Sequence, residues 1–309
     1  MNKSIDEFKS LIDEEFITKG KLFYNKSLKN ISWFKAGGRA GVLYIPSDQY
    51  DLSWFFGMLE SAGIHPKINV FGRLSNVLIR DKGLSSFAIL IPPSFSKFNI
   101  LENNTIEVGS GMLDKDFTKI ALENEIGGME FLSGIPGNLG GAIAMNAGCY
   151  GMEIKDIFVE AKVMNKDGSI TILKNDQMHF SYRSSIIKND QIIISGIFRG
   201  NKKSKKKIME KLKEIELKKK NTQPSGVATG GSTFKNPKEA KAWELIKSVG
   251  LSGFQLGGAM ISPEHNNFFI NTGNATANDF EDLGNLVIEK VKDKHGITLE
   301  WEIRIVGDS

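Results

Sequence analysis

Residues 131–151 read FLSGIPGNLGGAIAMNAGCYG, with Gly134, Gly137, Gly140, Gly141, Gly148 and Gly151 and no charged side chain. So bare a stretch cannot make a core by itself. What it offers is main chain, and main-chain N–H groups that glycine lets approach closely are how proteins cradle phosphates. A second stretch, FGRLSNVLIRDKG at 71–83, sets Gly72, Ser75 and Asn76 between two strand-like runs, with WFKAGGRAG upstream. Either loop alone is compatible with a tight turn in a β-rich domain. The two commonest phosphate-loop patterns are missing: GSGMLD at 109–114 has an acid where the third glycine of a dinucleotide fingerprint belongs, and no GxxxxGK[ST] occurs.

With 309 residues, 40% of them hydrophobic and 25% charged, the chain has the composition of a globular protein of two or three domains. Its one cysteine, Cys149, excludes an internal disulfide framework, and four scattered histidines argue against a zinc or iron–sulfur site, so no metal is expected. At the N-terminus Ile5, Phe8, Ile12 and Phe16 fall at helical spacing among acids, which suits a short amphipathic helix and not a signal peptide. No run approaches the ~20 apolar residues that span a bilayer, so a cytoplasmic protein with no membrane partner is expected. The net charge of +4 owes much to KKSKKKIMEKLKEIELKKK at 202–220. That run suits either a nucleic-acid arm or an amphipathic helix with a solvated lysine face. Ile208, Leu212 and Ile215 at helical spacing, with no interleaved stacking aromatics, favour the helix.

Strand-like runs fill residues 30–200: AGVLYIPS, PKINVFG, NVLIRD, FAILIP, TIEVGSG, IFVEAKVMN, SITILK and QIIISGIFRG. Two helices interrupt them, QYDLSWFFGMLESAG capped by Asp48 or Ser47, and KDFTKIALENE capped by Asp114. Clustered strands with few helices predict an α+β fold, not a repeating βαβ sheet. Beyond the lysine-rich segment, NTQPSGVATGGSTFKNP reads as loop, EAKAWELIKSVGL as helix and GGAMISPEHNNFFINTG as strand and turn. ATANDFEDLGNLVIEKVKDKHG reads as a long helix with Thr276 as cap, Asp279 closing a capping box and Gly296 as terminator. The final ITLEWEIRIVG alternates as a strand, with Leu299, Trp301, Ile303 and Ile305 on one face and Glu300, Glu302 and Arg304 on the other.

Taken in order, WFKAGGRA (33–40), GRLSN (72–76), LSGIPGNLGGAIAMNAGCYG (132–151), YRSS (182–185), GSTFKNP (231–237) and EIRIVG (302–307) resemble the UDP-N-acetylenolpyruvoylglucosamine reductases, the MurB flavoproteins. The resemblance runs from about residue 25 to the end of the sequence, and GIPG followed by GGA…MNAG is its distinctive part. It implies a two-lobed FAD-binding domain of the vanillyl-alcohol-oxidase (PCMH) type followed by a smaller α+β substrate-binding domain. The expected division is an N-terminal helix at 1–24, the FAD-binding domain at 25–200 with a lobe boundary near 92, a helical linker at 201–222 and the substrate domain at 223–309. Implied FAD contacts are Gly72, Ser75, Asn76, Gly134, Ile135, Pro136, Gly137, Gly140, Gly141, Ala147 and Gly148. A flavin is flat, largely apolar and carries a diphosphate, so small uncharged residues suit it. Leu74 stands where the family usually has the second glycine of GxGSN; if that position demands a positive φ, leucine is strained by roughly 1 kcal/mol or more.

The implied reaction is the NADPH-dependent, FAD-mediated reduction of UDP-N-acetylglucosamine enolpyruvate to UDP-N-acetylmuramate, a step of peptidoglycan precursor synthesis. Hydride addition to the methylene carbon pushes charge toward the carboxylate, which calls for a fixed cation and a proton donor. The resemblance assigns these roles to Arg183 and Ser232, and gives Glu302 a part beside the arginine. Glu300 shares the face of Glu302, and only the motif alignment favours the latter. Tyr182, Lys235 and Asn236 are the implied substrate contacts, whereas His265 reads as a polar turn residue. Residues 184–190 alone separate Arg183 from the strand expected near Gln191, so the sequence resembles the shorter, second type of the family, which lacks a tyrosine-bearing loop. The expected partner is a small nucleotide sugar, with no nucleic acid, on a monomer or weak oligomer. Two other readings stay open: an FAD-dependent oxidase or dehydrogenase of related fold acting on another substrate, and a lysine-rich nucleic-acid binder.

Overall fold

The computed structural model describes residues 5–10, 18–188 and 191–309. Its contacts divide the chain into two compact units, the first made of 1–24, 41–72 and 86–217 and the second of 25–40, 73–85 and 218–309. The segments interleave, so each unit is discontinuous in sequence.

Besides two short two-stranded sheets, the first unit holds two larger ones. One runs in the order Lys21–Ser27, Arg39–Ile45, Leu84–Leu90, Ile68–Phe71, the last pair parallel. Helix Gln49–Ser61 belongs with it: Asp48 caps the helix by accepting the N–H groups of Tyr50 and Asp51, each over 2.9 Å, and Leu52, Phe55, Phe56 and Leu59 form the buried stripe. Their core also takes in Phe8, Tyr44 and Phe87. Residues 5–10 are helical with Ile5 and Phe8 buried, while Ile12 and Phe16 lie outside the described residues. The other sheet is antiparallel, in the order Ile170–Lys174, Phe158–Met164, Ile192–Arg199, Thr105–Gly109, Phe98–Leu101. Its core gathers Ile106, Val108, Phe117, Val163 and Phe198 with Leu132, Leu139 and Ile143 of the glycine-rich segment.

The second unit packs helices Ala242–Ser248 and Ala277–His295 on a sheet ordered Ala228–Ser232, Phe268–Asn271, Ala259–Ile261, Gln255–Leu256. Beside it, Arg304–Val306 runs parallel to Val77–Ile79. The long helix follows its sequence signals. Thr276 accepts the N–H of Asp279, Asp279 reaches back, and Gly296 ends the helix at φ 68°.

The lysine-rich segment is a helix, Lys205–Thr222, with Ile208 and Ile215 buried and its lysines largely exposed. Four expectations are corrected. Asp114 does not cap its helix: Leu113 holds the cap position, because Leu113 pairs with Asn138 and the Asp114 N–H is drawn to the Gly137 carbonyl, so the carboxyl turns inward. The supposed loop before residue 237 contains strand Ala228–Ser232, because Ala228, Thr229 and Ser232 pair with Asn271, Ile270 and Phe268 on either side of a register shift at the two glycines. Helix Ala242–Ser248 is shorter than its sequence pattern because an Asn236 side chain fixes its start. The closing strand shrinks to Arg304–Val306, since the N–H groups of both Glu302 and Ile303 turn to a single carbonyl, that of Thr233. Leu299 and Ile303 are nevertheless buried, as the alternation predicts.

Candidate active site

In the first unit the glycine-rich segment lies along 110–114. The N–H groups of Leu139 and Gly140 donate to Met112 and Ser110 carbonyls, both at 2.9 Å, and that of Asp114 to the Gly137 carbonyl at 3.3 Å. Gly137 takes φ 149°, which no side chain would favour. Gly72 approaches Asn138 so closely that a Cβ there would fall on the amide, and one at Gly140 would come within 2.9 Å of Ser110 Cβ. Gly141 differs: an added Cβ would meet only Asn138 Oδ1, at 3.6 Å, so its main chain is open to a visitor. Ile135 and Pro136 lead into this turn from Gly134, which packs on Cys149 and the Tyr150 ring, and Ala147 is buried behind it.

Two polar side chains flank the cradle without hydrogen-bond partners, Ser110 and Asp114. Asp114 is 1% exposed, and burial pushes its carboxyl well above the usual carboxylate range, which favours its neutral form. A charge-free run of main chain that is open at Gly141, with buried polar atoms beside it, fits a flavin dinucleotide. Aromatic bulk or acid charge would not.

Arg183 is held at one end of the same segment. Main-chain bonds between Ser181 and Ser184 close a turn with Arg183 at φ 58°. Its Nη2 donates to the Gly148 carbonyl at 2.8 Å, Nη1 lies 3.9 Å from Glu153, and the guanidinium stacks 4.8 Å from the Tyr182 ring centre. Asn146 ties the surroundings together by donating to Glu153 at 3.1 Å and to the Ser181 carbonyl at 3.0 Å. The side chain of Arg183 is only 15% exposed. Such an arginine is a fixed positive charge, not a mobile surface one.

In the second unit Ser232 ends its strand opposite Phe268. The next carbonyl, of Thr233, accepts the Glu302 N–H at 2.9 Å, so the main chains carrying Ser232 and Glu302 are joined directly. Asn76 donates to the Glu302 carbonyl at 3.0 Å, and its own carbonyl accepts from Arg304 at 3.0 Å. Ser75 is half-buried, and Leu74 sits at φ 54° and 3% exposure. The positive φ suspected from the sequence is therefore real. Glu300 stands apart from Glu302: its side chain is 74% exposed and ion-paired with Lys235 at 3.2 Å. Asn236 accepts the Ala242 N–H at 2.9 Å. His265 accepts the Asn267 N–H through Nδ1 at 3.2 Å, and burial lowers its pKa, so it is neutral in its turn.

Sequence reasoning missed Asp114, Asn146, Glu153 and Asn267. Only Asn146 carries a local signal, as the asparagine of MNAG with a left-handed φ of 44°. Among the described residues no group of three or more His, Cys, Asp and Glu is placed to hold a metal, and no helix is long and apolar enough to cross a membrane.

Residues 42–174 match a family model described as an FAD binding domain, which makes this an FAD-binding protein. Residues 223–306 match the C-terminal domain of UDP-N-acetylenolpyruvoylglucosamine reductase. The chain belongs to the UDP-N-acetylenolpyruvoylglucosamine reductase family. The relative of that name from Orientia tsutsugamushi (strain Ikeda) is 44% identical over 291 residues, covering 93% of this chain and 95% of its own length. That from Rickettsia massiliae is 42% identical, covering 94% and 97%. The crystal structure of the Thermus caldophilus enzyme superposes with a TM-score of 0.79 at 27% identity, covering 94% of this chain and 99% of that one.

Proposed function

We propose that this protein reduces the enolpyruvyl ether of UDP-N-acetylglucosamine to UDP-N-acetylmuramate with NADPH as hydride source and FAD as carrier. The observation that carries the reading is identity of 44% spread over 93% of the chain, which spans both the FAD-binding and the C-terminal family matches. FAD, when bound, supplies the hydride chemistry, taking a hydride from NADPH and giving it to the methylene carbon. The main chain of Gly134, Gly137, Gly140 and Gly141 holds the cofactor, with Gly72, Ser75, Asn76, Ile135, Pro136, Ala147 and Gly148 as its further contacts.

Arg183 meets the negative charge that grows on the substrate carboxylate after hydride arrival, and its anchoring by Gly148 avoids reorganisation at that moment. Ser232 donates a proton to the carbon beside the carboxylate and recovers one from water. A hydroxyl is a poor acid in water but can protonate so basic a carbon when held over it. Glu302 takes part as a hydrogen-bonding group, its main chain fixed by Thr233 and Asn76. Tyr182, Lys235 and Asn236 contact the substrate. The short connection from Arg183 to strand Ile192–Arg199 supports membership of the branch without the tyrosine-bearing loop. The division into an N-terminal helix at 1–24, an FAD-binding domain at 25–200, a helical linker at 201–222 and a substrate domain at 223–309 belongs to the same reading, as does a cytoplasmic monomer or weak oligomer. Purified protein should carry flavin absorbance, be bleached once by NADPH alone, and turn NADPH over continuously only when the enolpyruvyl nucleotide sugar is present. Turnover with an unrelated alcohol or amine instead would favour an oxidase of related fold.

A further inference from the structure

Ser232 follows two residues that have no paired neighbour in the sheet. Gly230 and Gly231 precede it, Gly231 at φ 81°, and the strand register shifts between Thr229 and Ser232. The hydroxyls on either side give no anchorage, because Thr229 Oγ1 and Thr233 Oγ1 are buried without hydrogen-bond partners. One side chain makes up for this. Asn267, 3% exposed, accepts the Phe234 N–H at 2.9 Å through Oδ1 and donates through Nδ2 to the Phe234 carbonyl at 2.8 Å, while its own carbonyl takes the Thr233 N–H at 2.7 Å. Its amide thus stands in for a missing rung of sheet. The Thr233 carbonyl, freed on the other side, receives Glu302.

We propose that Asn267 is a positioning residue of the proton-delivery step: its amide, spliced into the main chain at Phe234, fixes where the Ser232 hydroxyl and the Glu302 main chain stand. The proposal rests on the role given to Ser232 above. Both bonds are buried and mutually oriented, and a proton donor displaced by about 1 Å loses roughly 100-fold in rate.

The test follows the two half-reactions of the FAD-loaded full chain by stopped flow, in Asn267→Ala, Ser232→Ala and the double variant. Asn267→Ala should slow reoxidation by the enolpyruvyl substrate roughly tenfold or more and leave flavin reduction by NADPH near the parent rate. In the Ser232→Ala background it should add almost nothing, since the two act as one unit. Asn267→Asp provides a second readout and a route around misfolding. It keeps the acceptor and has the donor only while its carboxyl is protonated, so reoxidation should fall as pH rises while reduction keeps the parent's profile. Loss in both half-reactions alike, full additivity with Ser232→Ala, or an Asn267→Asp rate that keeps the parent's pH profile would each overturn the proposal. Normal reoxidation by Ser232→Ala would overturn it together with the reading beneath it, which tells the two failures apart.

Discussion

Arg183 donates from Nη2 to the carbonyl of Gly148 over 2.8 Å, so the cation assigned to the substrate carboxylate is fastened to the glycine-rich segment itself. Glu153, 3.9 Å away, and the stacked ring of Tyr182 hold the rest of the planar fork. Lysine offers neither the stacking plane nor a rigid planar fork of donors. Arg183→Lys should therefore slow reoxidation nearly as much as Arg183→Ala, by roughly 100-fold, with flavin reduction by NADPH little changed. A lysine variant of near-parent rate, measured by flavin absorbance after mixing, would contradict a directional role.

Leu74 pits two terms against each other. At φ 54° it carries left-handed strain of about 1–2 kcal/mol, which glycine would relieve. At 3% exposure its side chain is worth about 1.5–3 kcal/mol in burial, a cavity adds to the loss, and glycine costs about 0.5–1 kcal/mol in chain entropy. Burial wins. Leu74→Gly should lower stability by about 1–3 kcal/mol in a denaturant titration, and a variant more stable than the parent would show that strain dominates.

Asp114 sets a pH dependence. Burial raises its folded-state pKa above the ordinary 3.8, so the folded protein binds the extra proton and loses stability as pH rises through the window from 3.8 to that raised value. Within the window the slope is about 1.4 kcal/mol per pH unit for one group. Asp114→Asn removes the titration while keeping the shape. Its melting temperature should exceed the parent's increasingly as pH rises from about 4 toward neutrality. Parallel curves for the two proteins would mean that the carboxyl is not desolvated in solution.

Where a signal is local, the fold was legible in the sequence. Asp48, Thr276, Asp279 and Gly296 do what capping chemistry demands, and the strand runs between 39 and 199 fall where β-branched clusters place them. The errors came where distant chain overrides local preference. Asp114 looks like a cap until Gly137 takes its N–H, and 228–232 looks like a loop until Phe268–Asn271 pairs with it. The glycine-rich segment and the turn that carries Arg183 were readable as an ordered set of motifs. Glu153 and Asn267 were not, because an acid behind an arginine and an amide bonded to Phe234 have no spacing rule in sequence; their partners lie 30 and 33 residues away.

The central claim is that Ser232 delivers the proton that completes reduction of the substrate. Stopped-flow spectroscopy of Ser232→Ala, loaded with FAD, separates that step from the one before it. Bleaching by NADPH should proceed near the parent rate, and recovery on adding the enolpyruvyl nucleotide sugar should slow by roughly 100-fold or more. Recovery at the parent rate, or equal slowing of both phases, would contradict the account.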